Sequence, residues 1–302
     1  MKYAYLFPGQ GAQYPSMSKD FFEQFSAARH VFEEADDVLS QNFSRIIFEG
    51  PKERLTETKN SQAAIFIASM AILQVVETLR PDITPAVAAG LSLGEYTALA
   101  AAHVLTFRQA LALVALRGEL MNRACERRRG KMAVILGLSA EAVEEMVEGH
   151  DELWAANFNC PGQVVISGTE KGIDKGVEAA KKIGAKRAVS LDVHGAFHSP
   201  LMKEAEKELG IAILQTKFLQ GRCPVVMNAS GEKVEDIEKI KELLLAQLTS
   251  PVRWEQGICA MKNIDLFIEM GPGKTLAGFN KRIDAELATV SITQVADLEK
   301  IQ

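Results

Sequence analysis

The sequence predicts an α/β protein in which a main domain with a mostly parallel sheet carries a smaller inserted domain. Two patterns predict this class. An apolar run ending at Ala89 passes through Gly90-Leu91-Ser92-Leu93-Gly94 into an alanine-rich segment, which is typical of a buried strand that turns directly into a helix. Further along, residues 127–192 show strand and helix patterns in the order β-α-β-β-α-β, the order of a ferredoxin-like unit.

Composition excludes several classes of function. The 302 residues suffice for one large core or two domains, and the net charge of -5 argues against a nucleic-acid partner. No apolar run approaches the roughly 20 residues that span a bilayer, and the N-terminal apolar run is too short for a signal peptide. The four cysteines are scattered and the histidines lack metal-ligand spacing on a helix. We therefore expect a cytoplasmic protein with no metal and no membrane association.

The first strand is predicted over residues 3–7, and Pro8 and Gly9 force a loop directly after it. Open α/β sheets bind their ligands in loops at the carboxyl ends of central strands. This loop carries Gln10 and Gln13. Their amides either contact such a ligand or satisfy backbone groups of the turn, and the local sequence leaves both interpretations open.

Two long helices are predicted around the glycine-flanked serine. Apolar side chains cover most of the circumference of residues 61–79, which indicates a buried helix. Thr106 is a favourable N-cap for a helix that runs to about Cys125. Arg117 lies among leucines in that helix, and arginine is rarely buried without a partner. It either pairs with a protein carboxylate, which composition alone favours, or binds an anionic ligand.

The inserted unit follows a charged break at residues 126–130. Its predicted elements are a strand at 132–136, a helix at 139–148 that Ser139 caps, strands at 153–157 and 164–167, a helix at 171–183 and a last strand at 187–191. Because this unit is complete in itself, we place the main domain at 1–126 and 193–302 and the insertion at 127–192.

The rest of the chain continues the alternation of strands and helices. Strands are predicted at 224–227, 265–269 and 288–292. One helix is predicted from about Val234 to Leu248, and another with Pro251 at its first position. The segment GPGKT at 271–275 resembles the end of a phosphate-binding loop, but Ile268 stands where that motif needs glycine. A nucleotide site is therefore excluded.

Ser92 is the candidate nucleophile. The strand-to-helix turn lifts its hydroxyl clear of the sheet, and it places the N–H of Leu93 at a helix N-terminus, where it can stabilise an oxyanion. A serine hydroxyl is a poor nucleophile unless a base takes its proton, and neutral histidine is the usual base.

His194 and His198 are the candidate bases, because they lie in the loop that re-enters the main domain, where a cleft is expected. The other three histidines, His30, His103 and His150, lie in solvated or helix-capping contexts. Asp192 is the nearest acid that could orient the imidazole, and a backbone carbonyl could do the same.

Seven motifs occur in one order over nearly the whole chain: FPGQGAQ, GLSLGE, ALRGELM, NCPGQVVISG, GAFHSPLM, SPVRW and EMGPGKTL. Together they resemble the malonyl-CoA:acyl-carrier-protein transacylases, which load malonyl units for fatty acid synthesis. The resemblance implies an α/β-hydrolase-like main domain with the ferredoxin-like insertion. It also implies ping-pong transfer from malonyl-CoA to acyl carrier protein through a malonyl-serine ester, without a cofactor. We expect a monomer.

The resemblance further implies a role for each of seven residues. Ser92 is the implied nucleophile, His198 the base, and the N–H groups of Gln10 and Leu93 the oxyanion hole. Arg117 is the implied bidentate partner of the malonyl carboxylate, and the main-chain carbonyl of Gln247 orients the histidine. Phe197 is the implied selectivity residue, because methylmalonyl-selective relatives carry a smaller residue there.

The sequence departs from the family at two points. Leu91 stands where the family usually has histidine before the serine. That histidine is not the base, so catalysis should survive without it. Gln62-Ala63 stands where the family usually has Gln-Pro, a change that we interpret as minor.

Three alternatives remain at this stage. The same chemistry could serve a polyketide synthase in trans, which the sequence cannot separate from fatty acid synthesis. A serine esterase or thioesterase would use water in place of the carrier thiol, but it does not need an arginine facing the serine. A non-catalytic carrier-binding module would not need Ser92, His198 and Arg117 together.

Overall fold

The computed structural model describes residues 1–193 and 195–301, and in those residues ten strands form two sheets. The strands are β1 (Tyr3–Phe7), β2 (Pro85–Gly90), β3 (Lys131–Leu136), β4 (Leu153–Cys160), β5 (Gln163–Gly168), β6 (Arg187–Ser190), β7 (Val225–Met227), β8 (Glu232–Val234), β9 (Leu266–Met270) and β10 (Thr289–Ile292).

Thirteen α-helices within the same described ranges connect and cover these strands. They are α1 (Lys19–Gln24), α2 (Ser26–Leu39), α3 (Phe43–Glu49), α4 (Lys52–Thr56), α5 (Thr58–Leu79), α6 (Gly94–Ala101), α7 (Phe107–Arg127), α8 (Ala140–Val147), α9 (Glu170–Lys182), α10 (Lys203–Gln215), α11 (Ile237–Ala246), α12 (Trp254–Ala260) and α13 (Thr275–Ile283).

The larger sheet has six strands in the order β10-β9-β1-β2-β7-β8. All neighbours pair in parallel except β7 and β8, which are antiparallel. The mostly parallel sheet predicted for the main domain is therefore confirmed. Since parallel strands end at the same edge, the loops after β1, β2, β7 and β9 lie together there.

Helix α5 is the central helix of the main core. The sequence-based expectation that no apolar run approaches a bilayer span is wrong for α5, which could cross a bilayer by length and composition. However, 78% of its most apolar window is buried inside the protein. It packs against α7 and α2, so its hydrophobicity is explained by burial within the fold. The buried helix predicted at 61–79 is confirmed, and it begins slightly earlier, at Thr58.

The second sheet is antiparallel, with strand order β4-β5-β3-β6. Helices α8 and α9 pack against it around a hydrophobic core of its own. Ser139 and Thr169 cap these helices by accepting from backbone N–H groups. The element order β-α-β-β-α-β predicted for this segment is the one observed.

The sequence-based prediction is wrong at Val234 and at Pro251. Residues Glu232–Val234 form the antiparallel edge strand β8, and α11 begins only after Asp236, whose side chain caps it by accepting from Lys239 N–H at 2.8 Å. Pro251 does not start a helix. Val252 forms a bridge to β4, in which its N–H donates to Ala156 O. This pairing keeps the backbone extended, and α12 starts at Trp254.

Candidate active site

Ser92 lies between β2 and α6 with a φ of 53°, a backbone conformation that non-glycine residues rarely adopt. The turn is tight because its two glycines touch. A Cβ on Gly90 would lie 1.9 Å from the carbonyl carbon of Gly94, and one on Gly94 would lie 2.2 Å from Phe7 O. Only glycine fits at either position, and this contact holds the serine at the end of the strand.

A side chain directly after β7 fixes the conformation of the turn. Asn228 Oδ1 accepts from the Ser92 N–H at 2.6 Å, and Asn228 Nδ2 donates to Gly90 O at 2.8 Å. Because the Ser92 N–H is bonded in this way, it is not available to a reacting oxygen. Sequence reasoning missed Asn228. Its position directly after the buried strand Val225–Met227 was the available signal, since loops at that edge carry site residues.

Ser92 and His198 are in hydrogen-bond contact at the end of β2. Ser92 Oγ and His198 Nε2 are 2.8 Å apart, and His198 Nδ1 lies 2.8 Å from Gln247 O. Since a carbonyl oxygen only accepts, Nδ1 carries the hydrogen and Nε2 is free to accept the serine proton. Asp192 is exposed, so the main-chain carbonyl of Gln247, and not Asp192, orients the ring. His194 lies outside the described residues.

The imidazole of His198 is neutral over a wide pH range. Its side chain is 4% exposed, and burial, together with the nearby positive charge of Arg117, lowers the pKa of His198 to about 4. The carbonyl of Gln247 opposes this shift by accepting from the ring. A neutral imidazole hydrogen-bonded to a serine hydroxyl can act as a general base.

Arg117 is buried, with 1% of its surface exposed, and it reaches the nucleophile from α7. Nη2 donates to Ser92 Oγ and to Gln247 Oε1, each at 3.0 Å, and Nη1 donates to Gln62 Oε1 at 2.5 Å. All three acceptors are neutral, and Nε has no hydrogen-bond partner in the described part of the chain. Of the two interpretations open from sequence, the geometry therefore favours an anionic ligand.

Gln62 holds Arg117 because α5 and α7 approach closely. A Cβ on Gly118 would lie 3.1 Å from Lys59 Cα, so the glycine lets the start of α5 pack against α7 beside the arginine. Gln62 is fully buried and its Nε2 donates to Met121 Sδ at 3.3 Å. Sequence reasoning treated position 62 only as one half of a family motif and missed this contact.

The loop after β1 lies against the serine turn. Leu91 N–H donates to Phe7 O at 3.0 Å, and a Cβ on Gly9 would lie 2.5 Å from Leu91 O. Gln13 Oε1 accepts from Gly11 N–H at 2.8 Å and so stabilises the turn, whereas the Gln10 side chain reaches Thr58 Oγ1 at 3.5 Å. The two glutamines therefore have different roles.

Two N–H groups beside this contact are candidates for an oxyanion hole. Leu93 immediately precedes α6, and Gln10 follows β1. Within the residues that the structure describes, neither backbone N–H donates a hydrogen bond. Both are thus able to donate to a ligand oxygen.

Phe197 is buried in the main core next to the base. A Cβ on Gly195 would lie 2.6 Å from a ring carbon of Phe197 and 2.3 Å from Cys125 Sγ. The ring is therefore held tightly against the loop that carries His198.

A cleft of about 720 Å³ leads to His198 between the two sheets. Its main-domain wall includes Pro200, Thr249 and Pro251, and Trp154 contributes from β4. The wall formed by α8 and its C-terminal turn is acidic and carries Glu141, Glu144, Glu145 and Glu148. The volume lies within the range typical of small-molecule sites.

Comparisons with known proteins agree with this geometry. The acyl transferase domain family matches residues 4–291. A malonyl CoA-acyl carrier protein transacylase of Bacillus subtilis is 43% identical, covering 99% of this chain and 95% of that protein. A crystal structure of an acyl carrier protein S-malonyltransferase from Vibrio cholerae matches with a TM-score of 0.96 at 39% identity and full coverage of both chains. A malonyl-transacylase in complex with a type II PKS acyl-carrier protein matches with a TM-score of 0.95 at 36% identity, covering 99% of this chain and 98% of that one.

The low pKa of His198 predicts how Ser92 acylation depends on pH. With 4-nitrophenyl acetate as a small acylating probe, the rate of acetyl-serine formation should stay level as pH falls through the usual histidine range near 6.5, because the imidazole remains neutral until about pH 4. Stopped-flow release of nitrophenolate measures this, with Ser92→Ala as the background control. A titration centred between pH 6 and 7 would contradict the buried, neutral base.

Proposed function

The chain belongs to the acyl transferase family and, within it, to the malonyl CoA-acyl carrier protein transacylases, and we propose that it transfers the malonyl group through an ester on Ser92. The observation that carries this assignment of residues is the chain of contacts from Gln247 O through His198 to Ser92 Oγ, with the Arg117 guanidinium on the same hydroxyl. The reaction class is acyl transfer, and it serves fatty acid synthesis.

In the first half-reaction, Ser92 Oγ attacks the thioester carbonyl of malonyl-CoA while His198 Nε2 takes the hydroxyl proton. The carbonyl oxygen becomes negatively charged and accepts from the N–H groups of Gln10 and Leu93. The carbon–sulfur bond then breaks, and His198 returns its proton to the coenzyme A sulfur. The products are malonyl-Ser92 and free coenzyme A, so no cofactor is needed.

In the second half-reaction, the thiol of the carrier protein's prosthetic arm takes the place of coenzyme A. His198 accepts the thiol proton, the sulfur attacks the ester carbonyl, and the proton returns to Ser92 Oγ as the ester bond breaks. Both halves use the same donors and the same base, as expected for ping-pong transfer.

Arg117 is the group that selects a malonyl chain. It is buried beside the nucleophile with neutral acceptors only, so a carboxylate at the far end of the acyl group adds the missing negative charge. A guanidinium binds a carboxylate through two parallel hydrogen bonds. An acetyl group leaves the charge unmatched.

We further infer the domain division and the fold types. The separate hydrophobic core around β3–β6 supports 127–192 as a ferredoxin-like insertion, and the glycine-flanked serine at the end of a parallel strand supports an α/β-hydrolase-like main domain at 1–126 and 193–302. The proposed nucleophile, base and arginine meet within one chain, so the site needs no residue of a second subunit, and we propose a monomer. The exposed free thiol of Cys259 supports a cytoplasmic location.

A polyketide synthase is the second candidate for the pathway, because one similar structure is a malonyl-transacylase bound to a type II PKS acyl-carrier protein. The chemistry at Ser92 is the same in both cases. Only the carrier differs, so relative kcat/KM values for carriers of the two pathways distinguish them.

Mixing the protein with malonyl-CoA should add one malonyl group to the intact mass, and Ser92→Ala should abolish the adduct and lower transfer by several orders of magnitude, as loss of a nucleophilic serine does. Mass spectrometry with assay of free malonate measures both. Malonate released from an unmodified wild-type enzyme would indicate a thioesterase, and a full adduct in the variant would exclude Ser92.

Arg117→Ala should lose malonyl transfer and gain in relative acetyl transfer, because leaving a buried charge without its partner costs about 3–5 kcal/mol, or roughly 100- to 4,000-fold. Phe197→Ser should relax the exclusion of methylmalonyl-CoA by making room for the α-methyl group. The measurement is kcat/KM for malonyl-, acetyl- and methylmalonyl-CoA.

Arg123→Ala is the matched control for Arg117, since it removes an exposed arginine of the same helix that pairs with Glu208. An unchanged malonyl-to-acetyl ratio in Arg117→Ala would show that another group binds the carboxylate.

The carrier protein should dock near Arg128 and Arg129. Acyl carrier proteins are acidic and basic surfaces attract them, whereas the α8 wall of the cleft is itself acidic. Gly130 lies against the loop that carries His198, since a Cβ on it would lie 2.5 Å from Ala196 Cβ. Arg128→Glu with Arg129→Glu should therefore raise KM for the carrier and leave KM for malonyl-CoA unchanged.

Lys181→Glu with Lys182→Glu is the control for docking. Those lysines precede β6, whose first residue pairs with Leu136 at the C-terminal end of β3. Arg128 and Arg129 instead precede Lys131 at the other end of β3, which is about 17 Å away along the strand. If the two double variants raise KM for the carrier equally, the docking surface lies elsewhere. The same follows if the arginine variant raises KM for the carrier and KM for malonyl-CoA equally.

A further inference from the structure

The side chain of Gln247 connects Ser92, Glu95 and Arg117 through hydrogen bonds. Nε2 donates to Ser92 O at 2.8 Å and to Glu95 Oε2 at 2.5 Å, while Oε1 accepts from Arg117 Nη2 at 3.0 Å. The main-chain oxygen of the same residue accepts from His198. Gln247 is fully buried, so bulk solvent does not reach its amide. The orientation of this amide decides whether its oxygen or its NH₂ group faces Arg117.

Glu95 decides that orientation. It is fully buried in α6, three residues after the nucleophile. Oε1 accepts from the Asn228 backbone N–H at 2.5 Å and Oε2 accepts from Gln247 Nε2. Both oxygens therefore act as acceptors, as in a carboxylate. Held on this carboxylate by its NH₂ end, the Gln247 amide presents its oxygen to Arg117.

We propose that Glu95 is a positioning residue for malonyl selection: as a carboxylate it fixes the Gln247 amide, which in turn holds the Arg117 guanidinium where a malonyl carboxylate binds. Glu95 touches neither the substrate nor the reacting atoms, and it acts through Gln247. This role rests on the proposed function of Ser92 and Arg117 and adds a residue to it.

Glu95→Gln is a sharp test because the Asn228 N–H always donates. The oxygen of the new amide has to face that N–H, so its NH₂ group faces Gln247 Nε2, donor against donor. Rotating the Gln247 amide relieves this clash, but it then turns Nε2 toward Arg117 and Oε1 toward Ser92 O. Either arrangement leaves Arg117 misplaced, while the main-chain contact from Gln247 O to His198 persists.

Where Glu95 is ionised, above its pKa of about 8, the malonyl-to-acetyl ratio of kcat/KM should therefore fall roughly ten- to a hundredfold in Glu95→Gln, the effect of one charge-assisted hydrogen bond. Acylation of Ser92 by 4-nitrophenyl acetate should stay close to wild type, because the base is still oriented. Glu269→Gln is the matched control. Glu269 is another fully buried carboxylate, which accepts from Leu276 and Ala277 N–H groups away from Arg117, so its loss should leave the ratio unchanged.

A second measurement needs no variant. Burial raises the pKa of Glu95 to about 8, against the lowering effects of the Asn228 N–H, the Gln247 amide and the charge of Arg117. Protonation of Glu95 makes one of its carboxyl oxygens a donor. The Gln247 amide should then rotate as it does in Glu95→Gln. The wild-type malonyl-to-acetyl ratio should thus be high above this pKa and fall as pH decreases through it.

Two other titratable side chains of the site, Tyr96 and His198, do not produce this fall. Tyr96 is the neighbour of Glu95 in α6, and burial raises the pKa of its phenol, so it stays neutral. His198 has a pKa of about 4 and therefore stays neutral over the range in which Glu95 titrates. The malonyl carboxyl remains ionised, since an ordinary carboxyl titrates near 4. In Glu95→Gln the ratio should no longer depend on pH.

An unchanged ratio in Glu95→Gln, or a proportional loss of acylation with both substrates and the ester probe, would reduce Glu95 to a structural residue. If Glu95→Gln does not fold, a level wild-type ratio across this pH range overturns the proposal by itself. Absence of a malonyl adduct in the wild type would instead overturn the proposed function.

Discussion

A buried positive charge beside the nucleophile is the constraint on which this site depends. A guanidinium taken out of water is costly unless an opposite charge is close, and Arg117 has only neutral acceptors in direct contact, with Glu95 one amide away. The protein tolerates this because Gln62, Ser92 and Gln247 each accept from the guanidinium. In the proposed function, a carboxylate-bearing substrate supplies the negative charge that this guanidinium lacks.

The elements around the site were predictable because their signals are local. The serine turn needs two glycines whose backbones touch, and this requirement is visible in five consecutive residues. Thr106 and Ser139 cap their helices as their sequence positions indicate. The mostly parallel main sheet and the order of elements in the insertion follow from apolar periodicity. The prediction was wrong after Pro251, where pairing with β4, a contact remote in sequence, keeps the backbone extended.

The site was predictable only in part. Ser92 stands out from its own turn, and the resemblance to a family pointed to His198, Arg117 and the carbonyl of Gln247. The contacts that orient these groups come from residues far away in sequence: Gln62 to Arg117, Asn228 to the serine turn, and the Gln247 amide to Glu95. Nothing local marks a glutamine as a bridge between a carboxylate and a guanidinium, because that role exists only once the helices and strands are assembled.

The same charge connects selectivity to chemistry. Besides burial, Arg117 is a cause of the low pKa of His198, so in the absence of an acyl group the base is weak. A carboxylate bound to the guanidinium cancels that repulsion, and the imidazole becomes a better proton acceptor when a malonyl-type group is in place. An acetyl group leaves the repulsion intact. If Ser92, His198 and Arg117 act as proposed, Arg117 discriminates twice, once by binding the carboxylate and once by setting the strength of the base that acts on the serine, and both effects favour the same substrate.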